Sequence, residues 1–274
     1  MSLVLAPRSA GRDRPLTIDL AGILPEKLAR LSADAVLRLP IRADGRPAPL
    51  GDHFTITGSC DDATLECHGD FSRVHFIGAG MRSGAIRATG SVGRHAGAGM
   101  EGGRLDIAGD AGDWLAAEMS GGEIHVLGRA GDNTAAALPG SAIGMRGGLV
   151  VVHGAAGAGT AARMRRGIVA IGGDCGPAAG FEMLAGTLVV GGSIGPQPGL
   201  AMRRGSVIAV TARPDVPATF RLGAIWRPAF LPLLLRRLVT AGYAPASVGL
   251  AVGPWRQWHG DPLAGGRGEI LHPA

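Results

Sequence analysis

The clearest pattern in the chain is an alternation of aliphatic and other residues that returns every 19 positions. Methionines stand at Met81, Met100, Met119, Met145, Met164, Met183 and Met202, so the spacings are 19, 19, 26, 19, 19 and 19. Five and seven residues after each Met comes an aliphatic pair: Ile86/Ala88, Leu105/Ile107, Ile124/Val126, Val150/Val152, Val169/Ile171, Leu188/Val190 and Val207/Ala209. Aliphatic residues on one phase of a period of two mark a strand with one buried face. Three glycine columns keep step with the methionines, starting at Gly84, Gly90 and Gly93. Glycine at one phase of every repeat implies a corner that needs positive φ or a close approach of backbones.

Self-similarity of this kind predicts stacked repeats. Residues 51–211 are expected to form an all-β, single-stranded β-helix, a β-solenoid of ~19-residue coils whose aliphatic pairs make ladders along a rod. Each buried aliphatic contributes roughly 1.5–3 kcal/mol, so the ladders dominate stability. Two degenerate coils, at residues 54–58 and 65–69, fit one end of the stack. Residues 1–50 break the pattern and read as an N-terminal cap, with strands at 16–20 and 36–41 and a helical turn at 25–31. Residues 212–274 read as a helical tail. Its helix covers residues 230–241, with Pro232 tolerated in the first turn and Gly242 as the stop. The spacing of 26 marks a seven-residue insertion within residues 132–142. That insertion reads either as a contact loop or as a tolerated bulge.

Outward strand positions divide the rod. Early coils present Arg87, Arg104, Asp106, Glu123 and His125, a solvated face. Later coils present Leu149, Val151, Ile168, Ala170, Val189, Ile208 and Val210. An apolar stripe of that size would not stay in water, so it is covered either by the C-terminal helix or by a partner subunit.

Charge changes the picture more than composition does. The net charge is +5, and Lys27 is the only lysine among 27 basic residues. Arginine forks onto carboxylates and phosphates, which fits an anionic ligand or an acidic partner; GC-rich codon usage would give the same excess. Arg82, Arg146, Arg165 and Arg203 directly follow a methionine, Arg166 and Arg204 come next, and Arg163 precedes Met164. Equal phase puts them on one edge of the rod, roughly 5 Å apart per coil, with Glu101, Ser120 and Leu184 interrupting the series. The edge reads either as a solvated corner balanced by Glu118 and Glu182, or as an anion track or acidic docking edge.

Other chemistry is sparse. The eight histidines form no H-x-H, H-E-x-x-H or H-x3-H pattern, so no metal site and no catalytic residue is singled out. There is no G-x-S-x-G elbow and no P-loop. Gly-Asp pairs such as Gly109-Asp110 lack the nine-residue period of calcium-binding β-rolls. Cys60, Cys67 and Cys175 form no CxxC pair and are expected as buried thiols. No apolar run reaches the ~18 residues of a membrane span. A cytoplasmic protein with neither a nucleic-acid nor a membrane partner is expected.

The coil pattern MxGGxLxIxGxAG, with the lead-in Leu50-Gly51-Asp52-His53-Phe54, resembles the C subunit of formylmethanofuran dehydrogenase and of its methylotroph counterpart, the formyltransferase/hydrolase complex. The resemblance spans roughly residues 16–270. The same solenoid occurs as the C-terminal domain of the glutamate synthase large subunit, but a free-standing chain with this cap fits the former better. The resemblance implies a right-handed β-helix and a non-catalytic scaffold role in one-carbon metabolism. It implies partners as well: the amidohydrolase-like A, the B and the formyltransferase D subunits. A tetrahydromethanopterin-type carrier, a methanofuran-type carrier and zinc are implied elsewhere in that complex, with no cofactor on this chain. The arginine-rich composition favours the hydrolase version over the dehydrogenase. A polyglutamyl tail on the carrier would be an anionic ligand for the arginine edge.

Overall fold

The computed structural model describes residues 2–8, 17–251 and 253–274. The N-terminal part carries β1 (Leu3–Pro7), β2 (Ile18–Asp19), α1 (Pro25–Leu28), α2 (Ala33–Leu37), β3 (Pro40–Ala43), β4 (Arg46–Pro49) and α3 (Leu50–His53). Then come β5 (Phe54–Thr57), β6 (Thr64–Cys67) and β7 (Val74–His75). The repeats supply β8 (Ala85–Ala88), β9 (Arg104–Ile107), β10 (Glu123–Val126), β11 (Leu149–Val152), β12 (Ile168–Ile171), β13 (Thr187–Val190) and β14 (Arg204–Ala209). The C-terminal part carries β15 (Arg221–Trp226), α4 (Leu231–Thr240), α5 (Pro245–Ala251), β16 (Trp255–Gly260), a 3-10 turn (Pro262–Ala264) and β17 (Arg267–Pro273). The protein is mostly strand, with few and short helices.

One sheet of 13 strands runs in the order β15-β16-β17-β14-β13-β12-β11-β10-β9-β8-β6-β1-β5, and a small sheet in the order β4-β3-β2-β7. From β8 to β14 each strand pairs in parallel with the next in sequence. The register sets like on like: Leu105, Ile124, Val150, Val169, Leu188 and Val207 line one row. All seven inward pairs are 0–3% exposed and all seven methionines 0%. The long repeat keeps this register, since Glu123 sits opposite both Arg104 and Leu149. Its extra residues therefore leave the stack sideways. A second row of single bridges joins Phe71, Val92, Ala111, Ala130, Ala156, Cys175 and Ile194.

The glycine columns follow from this stacking. Gly122 has φ +86, and a Cβ there would lie 2.7 Å from Met100 Cε and 2.8 Å from the Gly103 carbonyl of the repeat below. The second column needs only the close approach: at Gly109 a Cβ would lie 2.5 Å from the Ser91 nitrogen. Left-handed backbone is not confined to glycine. Trp114, Ala116 and Glu118 have φ of 56°, 56° and 55°. Their N–H groups donate in turn to Asp132, Ala96 and Ala136, so alternate donors serve the repeats on either side. That pairing offsets the roughly 1–2 kcal/mol that a left-handed non-glycine residue costs.

Several sequence expectations change at the ends. The strand expected at 36–41 is helix α2 through Leu37, because Ser32 Oγ caps it by accepting from the Ala35 N–H, and strand resumes at Pro40. Residue 16 of the first expected strand lies outside the described residues, while Ile18–Asp19 is a strand. Of the two degenerate coils, β6 stacks in parallel on β8, but β5 does not continue the series. The unexpected strand β1 lies between them, parallel to β6 and antiparallel to β5. The tail carries the expected helix and three strands besides, of which β17 pairs in parallel with β14.

The outer apolar stripe is covered from within. Leu149, Val151, Ala170, Val189, Ile208 and Val210 form a buried cluster with Leu231, Leu235 and Leu238 of α4 and with Tyr243. A helix ending in Gly242, with its Tyr243 N–H bonded to the Leu238 carbonyl and its Gly242 N–H to the Val239 carbonyl, is a Schellman stop. His125 departs from the solvated face expected for it. It is only 9% exposed, and burial followed by the Arg104 charge pulls its pKa down.

Candidate functional site

The arginine edge is built by the turn after each methionine. Backbone N–H groups there reach one repeat down: Arg146 to Met119, Arg165 to Met145 and Arg203 to Met183. With the methionine locked in the core, the next two residues point outward, and Arg82, Arg146, Arg165, Arg166, Arg203 and Arg204 are all exposed. The positions just after the methionines stack repeat on repeat, with Arg163 on the other side of Met164, but the edge divides electrostatically.

Three of its arginines are paired. Arg82 Nε lies 3.2 Å from Glu101, Arg146 3.7 Å from Glu118 and Arg163 Nε 2.7 Å from Glu182. The partners include Glu118 and Glu182, the two carboxylates that could balance the edge. Arg163 also donates from Nη1 to the Ser141 carbonyl at 3.0 Å, which pins the insertion. The exposed Arg82–Glu101 pair stabilises by only ~0.2–1 kcal/mol, while Arg146–Glu118 and Arg163–Glu182 are partly covered on at least one side. Among the described residues Arg165, Arg166, Arg203 and Arg204 have no ion-pair partner.

A further arginine joins them. Arg267 of β17 is exposed and sits directly opposite Arg204 of β14. Like charges directly opposite on neighbouring strands are destabilising unless something anionic lies between them. The carboxylate two residues on, Glu269, is bonded instead to Ser206 Oγ at 2.6 Å and Gln257 Nε2 at 2.6 Å. Arg267 was invisible to the repeat pattern because it lies 63 residues after Arg204, and nothing in the spacing announces that β17 pairs with β14.

Beside this edge opens a cavity of about 500 Å³. Ala142 at the end of the insertion and the adjoining Ile143 form one side, Leu263 of the 3-10 turn another, and Arg163, Glu182 and Arg203 line it. The insertion thus borders the arginines rather than standing apart from them.

Cys60, Cys67 and Cys175 are free and buried. Burial pushes the Cys67 thiol up to about 12 and Cys175 to about 11, so neither is a ready nucleophile. No group of three His, Cys, Asp or Glu among the described residues could hold a metal ion. The described residues therefore do not fit a zinc site. No helix among the described residues is long and apolar enough to cross a membrane.

Comparison with known proteins decides the family. The chain aligns with a chain in the crystal structure of the formyltransferase/hydrolase complex (FhcABCD) from Methylorubrum extorquens in complex with methylofuran. That match has 34% identity and a TM-score of 0.89, and covers 99% of both chains. The C subunit of molybdenum-containing formylmethanofuran dehydrogenase 1 from Methanothermobacter marburgensis is 36% identical over 94 residues. Its counterpart from Methanothermobacter thermautotrophicus is 35% identical over the same length. The chain belongs to this C-subunit family. The aligned stretch is 34% of this chain and 23% of each of those two relatives, so the dehydrogenase likeness is local. No family model matches the chain.

Proposed function

We propose that this chain is a non-catalytic β-solenoid scaffold, the C subunit of a formyltransferase/hydrolase complex of one-carbon metabolism. The match to a chain of FhcABCD over 99% of both chains carries this reading. Parallel strands in sequence order from β8 to β14, with β6 stacked on β8 and like residues in register, support a single-stranded β-helix; in this reading it is right-handed and spans residues 51–211, with 1–50 and 212–274 as its two ends. In this reading the partners are the amidohydrolase-like A, the B and the formyltransferase D subunits. A formyl group passes from a tetrahydromethanopterin-type carrier to a methanofuran-type carrier and leaves as formate, with zinc, carriers and catalytic groups on the other subunits. Aliphatic ladders fill the interior and glycines the corners, which leaves a rigid support. The setting is the cytoplasm.

The arginine edge serves this role as a polyanion contact, for acidic partner surfaces or a glutamate-bearing carrier tail. The unpaired Arg165, Arg166, Arg203 and Arg204 are its working part. Arg82, Arg146 and Arg163, already paired, complete the edge at its margins. A second reading, the C subunit of a true formylmethanofuran dehydrogenase, is favoured by the local likeness to the molybdenum enzymes.

Formate release from a formylated amine carrier, measured with the isolated chain and with the assembled complex, tests the proposal. The isolated chain should give no turnover and the complex should. Turnover by the chain alone at the complex's rate would refute the scaffold role.

A further inference from the structure

The net positive charge and the exposed large apolar side chains of this protein concentrate in the C-terminal segment, whose strands β15 and β16 end the large sheet. Residues 212–274 hold seven arginines against three carboxylates, a balance of 7 − 3 = +4 out of +5 for the whole chain. Two of those carboxylates are engaged: Asp261 accepts from the Ala201 and Leu263 N–H groups, and Glu269 from Ser206 and Gln257. Eight of the ten large apolar side chains exposed among the described residues lie in the same segment. Isolated exposed apolar residues are ordinary, but a gathering of them marks an interaction surface. On β15, Leu222 is 60% exposed, Ile225 47% and Trp226 39%; Phe230 and Leu233 follow at 40% and 69%.

Strand β15 ends the sheet, so its outer edge has no partner among the described residues. A bare edge invites another strand, yet this one is blunted. Its pairing with β16 slips by one residue between Leu222 and Ile225, and Pro228 follows closely. A bulged edge is a poor template for a further ladder, so the side chains are what a partner can use. Behind the edge Trp226 pairs with Trp255. Trp255, Leu231 and Leu235, each at most 3% exposed, help line a cavity of about 360 Å³ that Arg227 and Arg236 also line. Neither arginine has an ion-pair partner among the described residues, nor does Arg221 on the edge itself. An apolar floor beside free guanidinium groups suits a large apolar side chain flanked by carboxylates.

We infer that an acidic partner protein of the complex docks here, seating an apolar anchor in the cavity and carboxylates against Arg221, Arg227 and Arg236. The inference rests on the proposed membership of a multi-subunit complex and adds which surface of the chain is used. A second copy of the chain does not fit, because a symmetric contact would bring these unpaired arginines towards each other and like charges repel across an interface. The opposite end of the sheet offers no equivalent: on β5 the exposed residues are Thr55 and Thr57.

The test purifies the complex from the organism of origin through a tag on the full chain and quantifies the co-purifying subunits by mass spectrometry. The double variants L222E/W226E and R227E/R236E should each recover one of the other subunits about tenfold less well, since hot-spot truncations and charge reversals at an interface each cost a factor of this order. Their thermal unfolding should match the wild type, because all four side chains are exposed. In a third chain, native except for a benzoyl-phenylalanine replacing Leu222, illumination should cross-link that same subunit. Both double variants recovering the full complex would overturn the inference, as would a cross-link to a second copy or to no subunit. If a double variant unfolds early, the cross-link alone decides. If the wild-type chain brings down no subunit, the functional proposal itself fails.

Discussion

At the scale of single residues the chain holds a natural control for backbone strain. Gly122 and Gly140 share φ +86, but a Cβ at Gly122 would strike a methionine methyl and a carbonyl, whereas at Gly140 it would meet nothing within 4 Å. Alanine at Gly140 should cost about 1–2 kcal/mol from the left-handed backbone alone. Alanine at Gly122 should cost at least that again, read as the difference in unfolding free energy from denaturant titrations. Equal losses would mean that contact between repeats is unimportant there. Val169→Asp is a harsher probe. Its side chain is 0% exposed in the middle of the ladder, and an unpaired buried carboxylate should destabilise by more than about 4 kcal/mol. Histidines set a pH dependence. Burial is the first cause of a lowered pKa at His75, His95, His125 and His272. The folded chain therefore takes up these protons later than the unfolded chain as pH falls. Stability is fully present above the ordinary histidine pKa of about 6.5 and is lost as pH drops below it toward the folded values. Melting temperatures measured from pH 7.5 to 5 should fall over that interval, less steeply in a His125→Gln variant.

At the scale of elements, the helix over the outer stripe decides whether the late strands stay dry. Leu238 of α4 is 0% exposed, and Tyr243 donates its hydroxyl to the Ile171 carbonyl at 2.8 Å. Leu238→Ala should cost roughly 2–5 kcal/mol. Tyr243→Phe should cost only about 1 kcal/mol, because the Ile171 carbonyl keeps its bond from the Gly191 N–H. Denaturant midpoints of the two variants should rank accordingly. The elements also differ in how legible they are in the sequence. The ladder strands are legible, since a period of two inside a period of 19 has no helical explanation. Helix α4 is too, from its Pro232 start and Gly242 stop. Strands β1 and β17 are not, for they carry no methionine phase and join the sheet through partners distant in sequence. For the same reason Arg82 to Arg204 can be aligned from spacing while Arg267 cannot. Trp114, Ala116 and Glu118 escape as well, because their left-handed backbone is imposed by neighbouring repeats and not by residue type.

At the scale of the molecule, the free arginines act together or not at all. Four or five weak pairs of ~0.2–1 kcal/mol each would sum to a few kcal/mol at low salt. Such binding should weaken steeply with ionic strength. Changing Arg165, Arg166, Arg203 and Arg204 together to Gln should lower assembly of the complex or affinity for a glutamylated carrier at low salt, and change little at high salt. Unchanged assembly and affinity at both would leave the edge merely solvated. The same change at the paired Arg82 should have little effect, since Glu101 already occupies it.

The long repeat bulges sideways without disturbing the rows on either side, and that makes the protein a gauge with fixed graduations. Loops can lengthen freely at the rim, but the distance from one end to the other changes only by whole repeats, about 4.8 Å at a time. Excising residues 165–183 rejoins Met164 to Leu184 in phase and should give a chain that still folds, one graduation shorter. Removing 18 residues instead of 19 should also fold, because the one residue left over can bulge at the rim as the long repeat does, but it should melt lower than the 19-residue excision. Whatever lies at the two ends is therefore spaced by a count of repeats, and a lineage that needed a different reach would have to add or lose an entire one.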